Sequence, residues 1–523
     1  MFVIVSGLDE VNAAHPELPI EQRFRKVMEI SGVSITVTSV TDLLAFSLGS
    51  VSSTPAIRSF CLFAGISITC DYLLQITFFL ACLRLTEGAA QAGRSCLAPC
   101  VESKVGPLKG SASMIERCSG LIERGYEAAY RRPAFKAAVA VAFAAYLGYS
   151  AWGATELAEG LPWQNLAPDD SYLQDFFAVR DQDFQPQLGE TSHVYFLGDP
   201  ADPAAQRRIF EGLEKVKAMA CVSAEQTGTK NWLSHLTLAA KAQQEAGGGP
   251  ALLDADGRIL AERFYDVLGA VQALPQWEAY GTHIVRAGQT AGRITASRVP
   301  LVHSANADFQ RSSFRRTCLN EVHQVNEAFR AEQGPDAAPF VYSYPYVFWE
   351  QQRVLLNECL LNLGLAAVGV TLISFLLLGS WSATAVVVLS VLLVDVFLFG
   401  LMHMDGIRFN SISVVNLVMA VGLSVDYTLH LVHRFLHSDA EGRAERTKDA
   451  LVSIGPAVLV GGFSTFAGVL PMTGANSIIF RTFMKLMFGT VLFGLAVGLV
   501  LVPTLLAAMG PLPPRQVRTG KKG

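Results

Sequence analysis

Long apolar stretches alternate with shorter charged ones along most of the chain. About twenty consecutive apolar residues suffice to cross a bilayer as a helix. The sequence offers eight such stretches, near 32–50, 59–83, 134–153, 355–378, 381–404, 411–432, 452–471 and 484–508. A shorter apolar piece, Met1 to Gly7, has no basic residues ahead of it. It reads as the tail of a helix and not as a signal peptide. Between the third and fourth spans the pattern changes. Residues 154–354 begin with a turn-rich run, Gly160-Leu-Pro-Trp-Gln-Asn-Leu-Ala-Pro168, and continue with a strand-like run, His193 to Leu197. An amphipathic helix near 202–219, a helix near 306–331 and a strand from Pro339 to Tyr342 follow. Strands alternating with helices predict a βαβ-type α/β module.

Composition fits a polytopic helical membrane protein with one polar domain. Apolar residues make up 51% and charged residues 16%, with a mean hydropathy of +0.34. A soluble domain carries about 25% charge, so much of the chain avoids water. The net charge of −4 gives no support for nucleic-acid binding. Lys and Arg are distributed unevenly. The segments 8–30, 84–132, 433–451 and the tail after Pro511 hold 19 of them, whereas the alternate short loops, leaving aside 154–354, hold only Arg58, Arg408 and Arg481. By the positive-inside rule the 84–132 loop and the C-terminus are cytoplasmic, and 154–354 lies on the opposite side.

Two stretches resemble each other at an offset of 423 residues: Gly32 and Gly455, Thr41 and Ser464, Arg58 and Arg481, Phe60 and Phe483. Each copy reads as a basic helix, a span rich in small and hydroxyl residues, a short loop with one Arg, and a longer span. Duplicated helix bundles are typical of secondary transporters, whose site lies where the repeats meet.

The run Ser31-Gly-Val-Ser-Ile-Thr-Val-Thr-Ser-Val-Thr-Asp42-Leu-Leu-Ala-Phe46, with Arg58-Ser-Phe-Cys61 and Asp71-Tyr-Leu-Leu-Gln-Ile-Thr-Phe78, resembles the later part of a sterol-sensing domain of the Patched-related kind. Asn416-Leu-Val-Met-Ala-Val-Gly422-Leu-Ser-Val-Asp426 and Gly455-Pro-Ala-Val-Leu-Val-Gly-Gly-Phe-Ser464 are similar to the matching region of that family's second half. The resemblance implies a resistance–nodulation–division transmembrane bundle, with about eight full spans plus a stub and one porter-like extracytoplasmic domain. The expected division is residues 1–84 as the later sterol-sensing domain, 85–133 as a cytoplasmic linker, and 134–153 as a transmembrane helix. Residues 154–354 form the outer domain, 355–510 a five-helix bundle, and 511–523 a basic cytoplasmic tail. Members of the family have twelve spans in two halves, so the resemblance also implies a chain truncated at its N-terminus, beginning just after the carboxylates of the first half. The missing half, or another protomer, then becomes an expected partner.

A charge at the bilayer centre costs at least about 2.5–3.5 kcal/mol on insertion scales, so an intramembrane carboxylate needs a partner, a proton or a cavity. Gly422, Asp426 and His430 are spaced by four and share one helix face. Asp426 beside a titratable His suits a relay for H⁺ or Na⁺; the alternative is a neutral Asp hydrogen-bonded between helices. Asp395, which interrupts an apolar run, is a further ion-coupling candidate or a simple polar contact. Thr38, Thr41, Asp42 and Asp71 are candidate polar residues of the sterol-sensing part. Threonines on membrane helices also commonly bond their own backbone. Arg58 and Arg481 are expected to anchor helix ends at the outer headgroups.

Nine cysteines carry no Cys-x-x-Cys pattern, so no metal site is expected. Cys221 and Cys318 both fall in the outer domain, where an oxidising compartment could join them. Cys96 and Cys100 are cytoplasmic thiols open to palmitoylation. No nucleophile elbow, His-Glu-x-x-His or phosphate-binding loop is present, so a cofactor-free non-enzyme is expected. Two functions fit. The first is ion-coupled transport of sterol or another lipid in the plasma membrane or an endomembrane. The second is a sterol-binding sensor or scaffold that does not transport, with an inactive fragment as its limiting case.

Overall fold

The computed structural model describes residues 2–91, 114–130, 132–184, 192–247, 250–288, 292–303, 312–334 and 337–511. Cys96, Cys100 and nearly all of the basic tail lie outside the described residues. Two compact units are present, Met1–Asp170 with Leu355–Gly523, and Ser171–Val354.

The first unit is helical. Its helices are α1 (Phe2–Ala14), α2 (Ile20–Gly49), α3 (Pro55–Ala89), α4 (Met114–Gly125), α5 (Pro133–Thr155), α6 (Tyr344–Leu378, of which 344–354 belong to the second unit), α7 (Trp381–Met404), α8 (Ser411–His437), α9 (Arg443–Gly474) and α10 (Ile478–Met509). Among the described residues, seven are long and apolar enough to cross a membrane: α3 and α5 to α10. The eighth expected span differs. Residues 32–50 lie within α2, but its apolar part is only Ile35–Gly49. The charged run from Glu21 to Glu29 occupies the other end of that helix.

Lipid tails are as apolar as leucine, so helix association in a membrane depends on close packing and polar contacts. Small residues provide the close approach here. Gly400 of α7 lies against Ser150 of α5, and Gly153 of α5 lies against His403. The start of α8 is fixed by a reciprocal cap. Asn410 Oδ1 accepts from the amides of Ile412 (2.9 Å) and Ser413 (3.2 Å), and the Asn410 amide donates to Ser413 Oγ (2.9 Å). Short parallel backbone pairing between Glu159 and Phe409 ties the segment after α5 to the one preceding α8.

The 423-residue offset holds at the level of helix boundaries. Ile20, which begins α2, corresponds to Arg443, which begins α9; Pro55 of α3 corresponds to Ile478 of α10. Both longer helices also contain a π-helical turn at nearly the same place, Gln75–Phe79 and Val497–Leu501, one residue out of register. The end of α1, Ala14, corresponds to the end of α8, His437.

The second unit is built on a four-stranded sheet of β1 (Ser192–Leu197), β2 (Ile284–Arg286), β3 (Ile294–Leu301) and β4 (Phe340–Tyr342), in the order β2-β3-β1-β4. Every neighbouring pair is antiparallel, so the expected βαβ-type module takes a split form. The helical crossovers from β1 to β2 and from β3 to β4 do join strands of the same direction. In each case a strand from the other half lies between them. The result is a split βαβ repeat of ferredoxin-like topology. The helix Pro203–Lys217 is capped by Asp202, whose side chain accepts from the Ala204 amide at 3.0 Å. Its Gly212 allows Phe196 of β1 and Phe329 of the helix Ser312–Gln333 to meet it. Trp232, Phe264, Phe329 and Leu213 are fully buried in this core. Each contributes roughly 1.5–3 kcal/mol through burial.

Candidate intramembrane site

α8 is the most enclosed of the membrane helices, with 83% of its apolar window buried, whereas none of the α3 window is. Gly422 explains how α2 reaches it. A Cβ at this position would sit 2.8 Å from Asp42 Oδ1. The absence of a side chain therefore lets the Asp42 carboxylate of α2 rest on α8, one turn from Asp426. Asp42 Oδ1 and Asp426 Oδ1 are both buried without a hydrogen-bond partner. His430 follows one further turn along and is also buried.

These groups line a cavity of about 250 Å³, together with Thr38, Asp71, Gln75, Tyr427 and Thr465. No Lys or Arg is among the described lining residues. The structure thus gathers Asp426, His430, Asp42, Thr38 and Asp71 at one place. Gly422 supports the approach from beneath. Three sequence candidates stand differently. Thr41 does not line the cavity, and its hydroxyl donates to the Val37 carbonyl at 2.8 Å. Thr38 lines it, but its hydroxyl donates to the Ile35 carbonyl at 3.1 Å. Asp395 is 3% exposed on α7, away from the cavity, and both of its carboxylate oxygens are buried without a hydrogen-bond partner. Of the two repeat-related arginines, Arg481 pairs with Asp169, while Arg58 is exposed.

Tyr427, Phe2 and Val3, which are not among the sequence candidates, line it too, as does Thr465. The repeat offset holds a signal for two of them. Adding 423 to Asp42 gives Thr465, and subtracting it from Asp426 gives Val3. Ile35 with Val458 and Thr38 with Gly461 are related in the same way, and all eight residues line the cavity. The cavity therefore lies on the axis of the internal repeat. Two of its three carboxylates have a buried oxygen without a partner and come from non-equivalent positions, Asp42 on the short span of one copy and Asp426 on the helix preceding the other. Chemically, two buried carboxylates with an imidazole and hydroxyl groups, and no fixed cation among them, can take up and release a proton or a small cation.

The outer unit holds a second cluster. Cys221 and Cys318 are joined, with their Cα atoms 5.5 Å apart, and His303 lies within 4.8 Å of both sulfurs. His303 Nδ1 donates to the Cys221 carbonyl at 3.1 Å. Its Nε2 lies 2.8 Å from Ser192 Oγ and 3.3 Å from the Tyr346 hydroxyl. With both sulfurs in the disulfide and both ring nitrogens hydrogen-bonded, this cluster reads as a satisfied core. Burial pushes the His303 pKa down to about 4.

Residues 1–103 match the model of the sterol-sensing domain of SREBP cleavage-activation, and residues 351–517 match that of the AcrB/AcrD/AcrF family. The Niemann-Pick type C1-related protein of Toxoplasma gondii is 28% identical over 74% of this chain and 31% of its own length. The NPC1-like intracellular cholesterol transporter 1 of Mus musculus is 26% identical over 95% of this chain and 41% of its own. Protein patched homolog 1 of Caenorhabditis elegans is 24% identical over 98% and 43%. The chain thus spans between 31% and 43% of the length of these relatives. The cryo-EM structure of the hedgehog release protein Disp from the water bear Hypsibius dujardini shares the fold. Its TM-score is 0.60 at 16% identity, over 98% of this chain and 62% of that one. Residues 1–103 thus match a sterol-sensing domain and residues 351–517 the AcrB/AcrD/AcrF family, and over most of its length the chain is similar to Patched and NPC proteins.

Proposed function

We propose that this chain forms part of an ion-coupled lipid transporter, in which uptake and release of H⁺ or Na⁺ at Asp426 and Asp42 drives movement of a sterol or similar lipid. The observation that carries the reading is the placement on one cavity, at the axis of the repeat, of two carboxylates that each have a buried oxygen without a hydrogen-bond partner. A change of charge there acts on both copies at once, which suits two bundles rocking about a shared site. His430 serves the same cavity as a further proton acceptor, and Gly422 sets the distance between α2 and α8. Asp395 acts at one remove, by changing its protonation or contacts within α7. The 19-to-3 distribution of basic residues among the short loops supports a cytoplasmic C-terminus. The sterol-sensing match over residues 1–103 supports a lipid as cargo.

Asp426→Asn is the test, made both in the 523-residue chain and in a longer one that includes a first half. Each protein is reconstituted in vesicles, and movement of a fluorescent sterol is followed with and without an H⁺ or Na⁺ gradient. The expected result is loss of ion-dependent movement at an unchanged protein level. Undiminished movement would sink the coupling. Retained sterol binding with no ion-dependent movement in the unsubstituted protein would favour the sensor reading.

A further inference from the structure

The two faces of the sheet in the second unit differ. Val194, Phe196, Val299, Leu301 and Val341 point into the core, as alternation along a strand requires. The opposite face carries Leu197, Val285, Phe340 and Tyr342, each at least 39% exposed. Strand pairing lays a row of side chains across this open face. Phe340 of β4 pairs with Tyr195 of β1, and Tyr195 pairs with Arg298 of β3. His283 immediately precedes β2, whose Ile284 pairs with Ser297, so it continues the row beside Arg298. His193 lies two residues from Tyr195 on the same face, with its ring centroid 6.4 Å from that of His283.

Charge is unbalanced in this row. Among the described residues Arg298 has no ion-pair partner, and its Nε is buried without a hydrogen-bond acceptor. His283 Nδ1 is buried without a partner as well. Burial first, and then the charge of Arg298, lower the pKa of both histidines, His193 to about 4. No carboxylate acts on either ring. The histidines accommodate this setting by staying neutral, whereas an arginine keeps its proton in proteins. A half-buried guanidinium without an acceptor has lost water and gained nothing in return. Its complement is an acceptor with negative charge, and the planar fork of arginine matches a carboxylate, sulfate or phosphate group. Beside it the Tyr195 and Phe340 rings are stacked, with centroids 5.0 Å apart and planes at 15°. Neighbouring strands lie about 4.8 Å apart, so a ring joined to an anion at Arg298 reaches this aromatic pair.

We propose that the open sheet face binds an organic oxyanion, whose acidic group sits at Arg298, His193 and His283 and whose ring lies on Tyr195 and Phe340. The bound anion offsets the charge of Arg298, so the histidines take up protons more readily in the complex than in the free domain. Affinity therefore rises as pH falls. The other titratable groups beside the row are phenols: Tyr342, which pairs with His193, and Tyr280, whose ring centroid is 5.6 Å from that of His283. The site lies wholly within the second unit and does not depend on the proposed ion coupling.

The 523-residue chain in phosphatidylcholine nanodiscs is dialysed to equilibrium against benzenesulfonate, a water-soluble ring with one oxyanion, and in parallel against its neutral amide, benzenesulfonamide. The expected result is saturable binding of one sulfonate per chain, about tenfold or more tighter than the amide, as charge-assisted hydrogen bonds imply. Hydrogen exchange slows in β1 and β3 when the sulfonate is present. Arg298→Gln weakens binding about tenfold or more. Arg330→Gln removes the same charge from an exposed position on the helix Ser312–Gln333, which packs on the other face of the sheet, and changes nothing. Phe340→Ser brings benzenesulfonate down to the affinity of inorganic sulfate, and lowering the pH from 7 to 5 tightens binding by about twofold or more. Competition by benzoate or phenyl phosphate supports the proposal and ranks the acidic groups. Equal binding of sulfonate and amide overturns it, and that comparison stands even if a variant misfolds. Sulfate binding as tightly as benzenesulfonate overturns it too, because the aromatic pair would then contribute nothing.

Discussion

At the residue scale, glycines set the geometry on which the carboxylates depend. Gly498 meets backbone and Gly494 meets an aromatic ring, so neither neighbour can yield as the end of a flexible side chain would. Gly498→Ala is expected to destabilise the first unit by about 1–3 kcal/mol through overpacking. Thermal unfolding in detergent would show the change. Gly364→Ala, with nothing within 4 Å of the added methyl, serves as the control and leaves the midpoint unmoved. In the outer unit, His303 carries a pH dependence. Its ring remains neutral in the folded domain down to about pH 4, against an ordinary value of 6.5. Between those values the unfolded chain binds a proton that the folded one does not. Stability is therefore complete above about pH 6.5 and declines as pH falls toward 4, by up to about 3 kcal/mol. His193, lowered to about 4 by burial and then by the neighbouring Arg298 and His283, acts in the same direction. Hydrogen exchange of the β1 and β3 amides at pH 7 and pH 5 should show this loss, and His303→Gln should reduce it without abolishing it.

At the scale of elements, most helices were legible because their signals are local. The span beginning at 381 and that beginning at 411 coincide with α7 and α8, where apolar composition and an Asn-x-x-Ser cap agree. α2 gives a weaker local signal, since its hydroxyl-rich sequence leaves only Ile35–Gly49 apolar enough to resemble a span. The small outer sheet shows the opposite limit. Its strands were found within a residue or two at β1 and β4, but their antiparallel order depends on pairings far apart in sequence. The Cys221–Cys318 bond, which closes a loop of 97 residues, acts at this scale as well. Chain-entropy estimates put its contribution in the range of about 2–5 kcal/mol. Cys318→Ser should therefore weaken protection from exchange across β1 and β3 by that amount. It should leave α7 and α8, in the other compact unit, as protected as before.

At the scale of the whole molecule, the repeat governs the site. The sequence by itself determined the membrane class, the 19-to-3 charge bias, the 423-residue offset and the individual candidates Asp426, His430, Asp42 and Asp71. Each of these is written in residue type and local period, which a single strand of text preserves. Only the tertiary structure decided which candidates meet. It placed Asp42 over Gly422 and beside Asp426 on one cavity, and left Asp395 and Thr41 elsewhere. The reason is physical. Helix periodicity fixes which face a residue occupies, but in lipid no hydrophobic force between helices selects the face's partner. That selection comes from close packing of small residues against particular neighbours, and such complementarity exists only once the helices are assembled.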